Sequence, residues 1–503
     1  MAERPVLMGL DLGTSSIRAL AFDESGSTLA EGSVPTPVRK TGEDYAHYEP
    51  DETWQAVVQA IRSALAGLAP GDRVAGIAAA SIGESAVPVD ADGRPTHPAI
   101  AWFDKRTEPQ CRALAEMIGG QEMAAITGLS VEPIFGIFKM KWIQENAPDA
   151  YDRARTWLNM ADYAAYRLCG VVATDYSLAS RTYALDLARL EWSEAMIEAA
   201  GVDANLFPPL RPSGAALGTV TAEAAALTGL PETCVVAAGG HDHICGSLAA
   251  GAFHEGVTLN SMGSAENVLN VLEACPRDFD ATALGFDHGV LVTEAAHYFR
   301  LAGCRTSGVS VQWGTELFGV TGPDELARLA AQAPPGSSGV RYLPHLRFAT
   351  PPCVTKPATG VFWGLSPDVT KADMCRAILE GLAFDTQRLI DAMADLPGGS
   401  RPTEIRAIGG SIRNDLLMTM KAAVAPCPTV VVSQPEAVSQ GAAILAGVAA
   451  GLYRDAESGV EAMSVEGREV PRDPALAEIY GRLYRDEVLE QYDRAMALSR
   501  DFS

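Results

Sequence analysis

This chain of 503 residues lacks long apolar runs and closely spaced pairs of cysteines. No apolar run approaches the roughly 18 residues that a membrane-spanning helix needs. The N-terminus, MAERPVLMGLDLG, lacks the long apolar core of a secretory signal. The nine cysteines form no C-x-x-C pair, so neither a zinc site nor a disulfide framework is indicated. We therefore expect a protein of the reducing cytoplasm with no membrane partner.

Positive charge is also scarce. Lys and Arg number 39 against 63 Asp and Glu, which gives a formal net charge of −24. Such an excess repels nucleic acid and anionic membranes, so we expect neither as a partner. The net charge does not exclude a nucleotide as ligand, because a nucleotide needs only a local binding site. The chain is too long for one hydrophobic core, and we predict two domains, residues 1–250 and 251–503.

The two commonest phosphate-binding motifs, G-x-x-x-x-G-K-[ST] and strand–GxGxxG–helix, are absent. A different candidate lies in Val6–Asp23, VLMGLDLGTSSIRALAFD, where two β-type runs flank a short turn. In that turn Gly13 permits close backbone approach, and Thr14 and Ser15 offer hydroxyls to a phosphate. Asp11, at the end of the first run, is placed to hold a divalent cation, directly or through water. The alternative is an ordinary hairpin that binds nothing.

The second half of the chain opens as the first does. Val257–Ser261 predicts a strand, Gly263-Ser264-Ala265 a small-residue turn, and Glu266–Leu272 a returning strand. We infer a weak internal repeat of two related domains. The alternative is chance similarity of a few small residues. If a phosphate is bound, the hydroxyls of Thr14 and Ser264 contact it from opposite sides, which suits phosphoryl transfer from ATP.

Elsewhere, strand-like runs alternate with helical spacing, which indicates α/β domains. The predicted strands used below are Val74–Ala80, Ala99–Asp104, Cys234–Ala238 and Glu404–Gly410, and the predicted helices are Asp51–Leu68, Ile244–Ala250, Lys371–Met393 and Ala437–Gly451.

Asp242 is the candidate general base. It ends a predicted buried strand and precedes a helix, behind two glycines that leave room for a substrate. A carboxylate there could accept the proton of an attacking hydroxyl. The alternative is a helix N-cap, a position that favours Asp. His241 and His243 could instead form a metal pair, but zinc sites need three or four ligands and no second pair is nearby.

Polar residues also follow two other predicted strands. Glu84, Asp104 and Arg106 lie there beside Trp102, an arrangement that suits a sugar or polyol against an aromatic wall. The alternative is loop solvation around a core tryptophan.

A small-residue turn follows the predicted strand Glu404–Gly410. Gly409, Gly410, Ser411 and Asn414 could let an adenine ring approach the backbone. The alternative is a tight strand–helix turn.

Taken together, these segments resemble the FGGY carbohydrate kinases. The most specific match is Gly360–Glu380, GVFWGLSPDVTKADMCRAILE, which fits the second signature of that family. LDLGTSSIRALAFD resembles the family's first phosphate segment, GGHDHICGSLAAG its catalytic segment and AIGGSIRND its adenine segment. The resemblance covers nearly the whole chain. It implies an α/β fold of two duplicated actin-like (ribonuclease H-like) domains with a cleft between them.

The resemblance also implies roles for particular residues. Asp242 would be the general base, and Asp11 with Asp242 would hold magnesium. The N-terminal domain would bind the sugar and the C-terminal domain ATP. The residues expected at ATP and its phosphates are Gly13, Thr14, Ser15, Arg18, Gly263, Ser264, Gly409, Gly410, Ser411 and Asn414. The residues expected at the substrate are Glu84, Trp102, Asp104, Asp242 and His243.

The sequence departs from the family pattern at two places, one in a phosphate turn and one in a loop expected at the substrate. The second phosphate turn is usually Gly-Thr-Ser but here is Gly263-Ser264-Ala265. The loop Ser81–Ser85 is neither the Met-His loop of xylulose kinases nor the Arg-Glu pair of glycerol kinases, although Glu84 remains. Gly-His-Asp-His most resembles fuculose-kinase-like members. The sequence therefore specifies the reaction more closely than the sugar.

We predict ATP- and Mg²⁺-dependent phosphorylation of a primary hydroxyl on a ketose or polyol, of the pentulose or hexulose type such as xylulose or fuculose. The alternatives are a sugar-acid (gluconate-type) kinase, a glycerol or erythritol kinase, and an actin-like ATP-binding regulator without a sugar substrate. A metal hydrolase that uses His241 and His243 is more remote. The expected partners are the sugar or polyol, ATP, and a second copy of the chain in a homodimer.

Overall fold

The computed structural model describes residues 4–41, 45–263, 265–276, 280–292, 297–346, 348–353, 358–434, 436–464 and 467–501. The strands are Arg4–Leu12, Ser16–Phe22, Thr28–Pro35, Val38–Lys40, Ala46–Tyr48, Asp72–Ser81, Ala86–Val89, Ala99–Ile100, Thr156–Asn159, Thr174–Asp175, Leu185–Asp186, Glu191–Trp192, Leu210–Arg211, Ala216–Thr219, Val235–Ala237, Gly240–His241, Val257–Met262, Glu266–Leu272, Asp287–Val290, Tyr298–Cys304, Arg341–Leu343, Val361–Trp363, Glu404–Ile408, Thr429–Val432 and Gly467–Glu469.

The α-helices are Pro50–Ala66, Glu108–Ile118, Gly120–Thr127, Gly136–Asn146, Pro148–Arg153, Met160–Cys169, Tyr176–Ser180, Glu194–Ala200, Ala222–Thr228, Asp242–Ala249, Asp280–Ala283, Ser307–Phe318, Pro323–Ala330, Lys371–Asp395, Asp415–Val424, Ala437–Ala449, Ala456–Ala462, Pro474–Arg482 and Leu489–Asp501. Short 3₁₀ turns occupy Ala204–Leu206, Ser337–Gly339 and Gly410–Arg413, and Leu483–Val488 is a π-helical stretch. Among the described residues, no helix combines the length and the apolar character that crossing a membrane requires.

The chain forms two compact units. The first contains Met1–Phe253, His288–Tyr298 and Glu436–Val465, and the second contains His254–Asp287, Phe299–Pro435 and Glu466–Ser503. The division predicted from the sequence was continuous, at 250/251, whereas the observed units are not. Late residues join the first unit because helix Ala437–Ala449 packs directly on strand Arg4–Leu12, where a side chain on Gly9 would overlap the carbonyl oxygen of Ser439.

The first unit is built on a mixed sheet. Its main strands are in the order Thr28–Pro35, Ser16–Phe22, Arg4–Leu12, Asp72–Ser81, Val235–Ala237. The first two pairings are antiparallel, and the next two are parallel. Helices Pro50–Ala66 and Ala437–Ala449 both contact this sheet. Such cover explains why Val6–Leu10 is an uninterrupted buried run rather than an alternating one.

The second unit repeats this strand order. Its main strands are in the order Tyr298–Cys304, Glu266–Leu272, Val257–Met262, Glu404–Ile408, Thr429–Val432. The second and third of these pair antiparallel, and the last two pairings are parallel, as in the first unit. The internal repeat predicted from the two hairpins is therefore confirmed by the sheet topology.

Most predicted elements are confirmed within a few residues at their ends. The hairpin predicted in Val6–Asp23 is the antiparallel pair Arg4–Leu12 and Ser16–Phe22. The predicted strand Ala99–Asp104 is wrong beyond Ile100. There the Asp104 N–H donates to the Ala101 carbonyl at 3.1 Å, which turns the chain and moves Trp102 out of any sheet. The apolar character of that run comes from burial in a turn, which periodicity does not distinguish from a strand.

Candidate active site

The first hairpin turn is tight and presents hydroxyls. The Gly13 N–H donates to the Ser16 carbonyl at 3.1 Å, and the Thr36 hydroxyl donates to the Gly13 carbonyl at 2.7 Å. Thr14 is half-buried and Ser15 is exposed. The Thr14 hydroxyl accepts the indole N–H of Trp102 at 3.0 Å, so these two predicted site residues lie side by side. The hydroxyl oxygen retains a proton with which to donate to a ligand.

Asp11 and Asp242 form the acidic centre of the first unit. Burial raises the pKa of Asp11 to about 7, and the negative charge of Asp242 adds to this rise, while Arg18 opposes it. Asp242 is the first residue of its helix, and its Oδ1 accepts the N–H of His243 at 2.6 Å. The alternative that Asp242 is the N-cap is wrong, because His241 occupies that position.

Two glycines bring Asp242 to the end of the central strand Asp72–Ser81. Gly240 and His241 pair in parallel with Ala80 and Ser81 of that strand. A side chain on Gly239 would overlap the Ala79 carbonyl oxygen, and one on Gly240 would overlap Val292. Gly239 therefore allows close approach of the Ala79 backbone, and Gly240 leaves space for the Val292 side chain. Room for a substrate behind Asp242 stays a prediction.

Glu84 is buried and bound to an arginine. Its Oε1 accepts Nε of Arg181 at 2.7 Å and lies 2.6 Å from Nη2 of the same guanidinium. The backbone carbonyl of Glu84 accepts the Lys139 ammonium at 2.5 Å. Lys139 is fully buried, and this desolvation lowers its pKa to about 7, against the opposing charges of Glu84 and Asp104. Arg181 therefore holds the predicted sugar-binding carboxylate, and Lys139 holds the backbone of the same residue.

Asp104 is committed to structural bonds. Its Oδ1 accepts the backbone N–H and Nε of Arg106, both at 2.9 Å, and its Oδ2 accepts Nη2 of Arg106 at 2.7 Å and the Ala46 N–H at 2.6 Å. The side chain has no exposed surface. The Arg106 guanidinium in turn stacks over the rings of Tyr45 and Trp142. Direct contact between Asp104 and a sugar would require these bonds to break, so that role stays a prediction.

His241 is buried beside Asp242, whereas His243 is exposed. Burial lowers the pKa of His241 to about 3, opposed by Asp242 and reinforced by Arg181. The His241 Nδ1 lies 3.3 Å from Asp242 Oδ1, and the two imidazoles stack with centroids 5.6 Å apart. Among the described residues, no three His, Cys, Asp or Glu side chains come together in a metal-ligating group.

Arg18 lies in the first unit and is paired with an acid from far along the chain. Its Nη1 donates to Oε2 of Glu436 at 2.6 Å, and its Nε donates to the Ser16 hydroxyl at 3.0 Å. Its side chain is 37% exposed, which leaves a face open to an anion. Glu436 had no sequence signal because 418 residues separate the pair.

In the second unit, the predicted adenine turn lies against the second hairpin. Gly409 has φ +98°, and a side chain there would meet the Met262 carbonyl oxygen at 2.5 Å. Gly410 opens the 3₁₀ turn Gly410–Arg413, which contains Ser411. Asn414 caps the next helix, with its Oδ1 accepting the Leu417 N–H at 3.1 Å. The strand–helix turn is thus real, and it adjoins the strand that leads to Gly263. Ser264 lies outside the described residues.

Glu266, in the returning strand of that second hairpin, forms a buried ion pair with Lys421. Glu266 Oε1 accepts the Lys421 ammonium at 2.5 Å and the Asn260 amide at 2.7 Å. The hydroxyls of Thr386 and Ser307 complete the set. Burial alone would raise the pKa of Glu266, but Lys421 and the hydrogen bonds lower it.

Sequence reasoning missed Arg181, Lys139 and Lys421. Each is a basic residue that lies in an ordinary helical or loop context, far in sequence from the acid or carbonyl that it binds. Only the long-range fold brings these groups together.

Comparisons with known proteins show which family the chain resembles. A model of the N-terminal domain of the FGGY family of carbohydrate kinases matches residues 6–249, and a model of its C-terminal domain matches 279–450. The xylulose kinase of Bacillus subtilis (strain 168) is 28% identical over 488 residues, 95% of this chain and 96% of that protein. The glycerol kinase of Methylibium petroleiphilum is 30% identical over 489 residues, 93% of this chain and 95% of that protein. The crystal structure of xylulose kinase from Rhodospirillum rubrum matches with a TM-score of 0.88 and 26% identity, over 97% of this chain and 99% of that chain.

The duplicated strand order and the two hairpin turns define an actin-like, ribonuclease H-like fold. The chain belongs to the FGGY family of carbohydrate kinases, and it is an ATP-dependent phosphotransferase. The resemblance inferred from the sequence is confirmed. The regulator without a substrate and the metal hydrolase lose their support.

Proposed function

We propose that this enzyme transfers the terminal phosphoryl group of ATP to a primary hydroxyl of a neutral ketose of the xylulose type. The observation that carries the proposal is the Asp242 carboxylate at the end of the central strand, in the same unit as the buried acceptor Glu84. A hydroxyl needs a proton acceptor when it attacks phosphorus, and neutral sugar hydroxyls need acceptors that orient them. The relatives named xylulose kinase support this sugar class.

Asp242 acts as the general base in this proposal. Its Oδ1 is engaged by the His243 N–H, so Oδ2 is the atom that receives the sugar proton. The neighbouring imidazole of His241, with a pKa of about 3, is neutral at physiological pH. The carboxylate is therefore the only one of the two groups with a useful negative charge for proton abstraction.

Asp11 and Asp242 fit a magnesium ion. Burial raises the pKa of Asp11 to about 7, and the negative charge of Asp242 adds to the rise, so ionising both carboxylates without a cation is costly. Mg²⁺ prefers one or two carboxylates and keeps much of its water, which matches this small set. When bound, the ion would neutralise phosphate charge. Asp11 and Asp242 would hold it, directly or through water.

The second unit would bind the adenosine end of ATP, and the two hairpin turns its phosphates. Gly409, Gly410 and Ser411 present a backbone free of large side chains. Asn414 uses its oxygen as a helix cap, which leaves its amide N–H₂ to contact the base. Arg18 would contribute positive charge near the phosphates, beside Gly13, Thr14 and Ser15, with Gly263 and Ser264 contributing from the second hairpin.

Sugar binding is assigned to the first unit. Glu84 and Asp242 would accept hydrogen bonds from sugar hydroxyls, Trp102 would provide an apolar wall, and exposed His243 would contact the substrate's outer end. Asp104 would act by holding Arg106 and the loop around it.

The test is a coupled ADP-release assay with Mg·ATP and a panel of acceptors: xylulose, fuculose, glycerol, erythritol and gluconate. Xylulose should give the highest kcat/KM, and ADP release without any acceptor should be slow. Asp242→Asn protein, prepared in parallel, controls for contaminating kinases. Turnover confined to glycerol or gluconate would contradict the ketose assignment. A rate of ADP release that no acceptor increases would contradict the proposed sugar-kinase activity of the site.

We place the reaction in the cytoplasm, where ATP is available. The buried thiols of Cys234, Cys245 and Cys304 suit a reducing compartment. We also expect a homodimer, which analytical ultracentrifugation would establish.

A further inference from the structure

The buried carboxylate of Glu84 is asymmetric. Both nitrogen contacts from Arg181 go to the same oxygen, Oε1. Within the part of the chain that the structure describes, no hydrogen-bond partner is assigned to Oε2. The side chain of Glu84 is 8% exposed, so this carboxylate keeps a small opening. Oε1 is therefore bound to Arg181, and Oε2 is available to accept a hydrogen bond from a ligand.

Arg181 reaches Glu84 from a separate part of the first unit. It directly follows helix Tyr176–Ser180, and its backbone N–H donates to the Leu178 carbonyl at 3.0 Å. Its guanidinium lies 4.9 Å over the ring of Phe135, which is itself fully buried and stacked on Tyr183. Packing against buried aromatic rings therefore fixes the orientation of the Arg181 guanidinium toward Glu84.

Gly83 creates the space for this arrangement. A side chain at Gly83 would overlap His241 and would meet Cγ of Arg181 at 2.7 Å. Arg181 also contributes to the lowered pKa of His241, the residue next to the proposed base. The guanidinium therefore lies close to both the sugar-binding acid and the Asp242 turn.

We propose that Arg181 is a positioning residue that determines substrate specificity by acting through Glu84. It holds Oε1 so that Oε2 faces a sugar hydroxyl, and it keeps the buried pair electrically neutral. The inference rests on the proposed function, because it assumes that Glu84 contacts the sugar. It adds the reason why the site selects neutral polyhydroxy compounds over sugar acids.

The chemistry of each partner accounts for the selection. An ionised carboxylate oxygen only accepts hydrogen bonds, so Oε2 attracts a hydroxyl donor and repels a substrate carboxylate. Loss of Arg181 removes the bonds that hold Oε1, so the buried carboxylate loses its fixed orientation and Oε2 is no longer an ordered acceptor. Loss of the charge on Glu84 removes the negative charge that a substrate carboxylate would meet at this position, while the nearby positive charge of Arg181 remains.

The experiment is a double-mutant cycle on the full enzyme with Arg181→Gln, Glu84→Gln and the double variant, assayed with xylulose, gluconate and ATP. Each single substitution should raise the KM for xylulose about ten- to hundredfold, while the KM for ATP stays within about twofold. The double variant should be little worse than either single one, because both act through one interaction. Arg181→Lys, which keeps the charge but loses the two-nitrogen contact, should recover part of the affinity.

The ratio of gluconate to xylulose turnover gives a second readout. Glu84→Gln should raise this ratio at least about tenfold, and adding Arg181→Gln should reverse the gain. The matched control is Arg376→Gln in the second unit. There Nε of Arg376 donates to Oε1 of Glu380 at 2.9 Å, with both side chains nearly fully buried. That variant should lose thermal stability while the KM for xylulose stays unchanged.

Additive effects of the two first-unit substitutions, or an equal rise in xylulose KM from Arg376→Gln, would overturn the role of Arg181 while leaving the kinase proposal intact. An unchanged gluconate ratio in Glu84→Gln would overturn the charge-selection argument. Wild-type enzyme that phosphorylates none of the neutral acceptors would instead overturn the proposed function itself.

Discussion

The two hairpins of this protein have the same topology and opposite electrostatics. In the first unit, Asp11 lies one residue before the end of the leading strand, and burial together with the neighbouring acid Asp242 raises the pKa of Asp11 to about 7. In the second unit, Glu266 begins the returning strand and is neutralised by Lys421, with a lowered pKa. Burial disfavours both carboxylates, so the sign of the shift depends on whether the fold supplies a cation.

This difference indicates a structural role for the acid of the second hairpin and a functional role for the acids of the first. The second unit encloses its acid in a fully bonded network that joins a strand to helices Lys371–Asp395 and Asp415–Val424. The first unit leaves its acids short of positive charge, since Arg18 is itself paired with Glu436. Perturbed carboxylates of this kind concentrate at functional sites, and the deficit here is what a magnesium ion would relieve.

The largest expected effect is on catalysis in the first unit. Asp242→Asn keeps the shape and an acceptor oxygen for the His243 N–H, but it removes the basic oxygen. General-base catalysis is worth 10²–10⁴-fold, so kcat should fall by about that factor. Steady-state kinetics with xylulose would measure the fall.

The melting temperature of Asp242→Asn should stay close to that of the wild type. The KM for Mg·ATP should rise far less than kcat falls, because Asp11 would still hold the ion. A variant that kept more than about a tenth of kcat would show that the base lies elsewhere.

The second effect is on stability in the second unit. Lys421→Met leaves Glu266 buried without its cation, and breaking such a pair typically costs about 3–5 kcal/mol. Thermal and denaturant unfolding should show the loss, while kcat per folded molecule is kept. The double variant with Glu266→Gln should recover part of the stability, because it removes the stranded charge. A fall in kcat without loss of stability would mean that the two hairpins are not divided as we describe.

The third effect is a pH dependence specific to the first unit. The folded-state pKa of Asp11, about 7, is higher than its ordinary 3.8, so the folded protein holds this proton more tightly than the unfolded chain. Stability must therefore fall as pH rises between these two values. In EDTA, the wild type should lose melting temperature relative to Asp11→Asn as the pH rises from about 4 to about 7.

Added Mg²⁺ should restore the wild type at the upper end of this range and leave Asp11→Asn nearly unchanged, since bound cation stabilises the ionised form. Thr14→Val serves as a control because it alters the same turn without a titrating group. Parallel melting curves for wild type and Asp11→Asn at every pH would refute the raised pKa.

The smallest expected effect compares the two turns directly. Thr14→Val and Ser264→Ala each remove one hydroxyl expected at the ATP phosphates, a loss of about 1 kcal/mol or a several-fold rise in ATP KM. The KM for xylulose should not change in Ser264→Ala. In Thr14→Val it should change less than the KM for ATP, because this variant also removes the acceptor of the Trp102 N–H. An effect confined to one of the two variants would show that the repeat does not extend to function.

Much of the fold was predictable because it is encoded locally. The run Val6–Leu10, the turn after Asp11 and the long helix near Lys371 all follow from apolar periodicity and turn residues. The error at Trp102 arose because a buried turn and a short strand have the same apolar pattern. The discontinuous first unit was not predictable, because helix Ala437–Ala449 returns to strand Arg4–Leu12 from more than 400 residues away.

The sequence by itself determined the family, the duplicated hairpins, and the candidates Asp11, Asp242 and Glu84, because motif spacing and residue chemistry are local properties. Only the tertiary structure decided which charges meet. It bound Asp104 within a structural network, gave Arg181 to Glu84 and Lys421 to Glu266, and left Asp11 without an equal counter-charge. Electrostatic interactions depend on distance and burial in space, and no spacing along the chain encodes either.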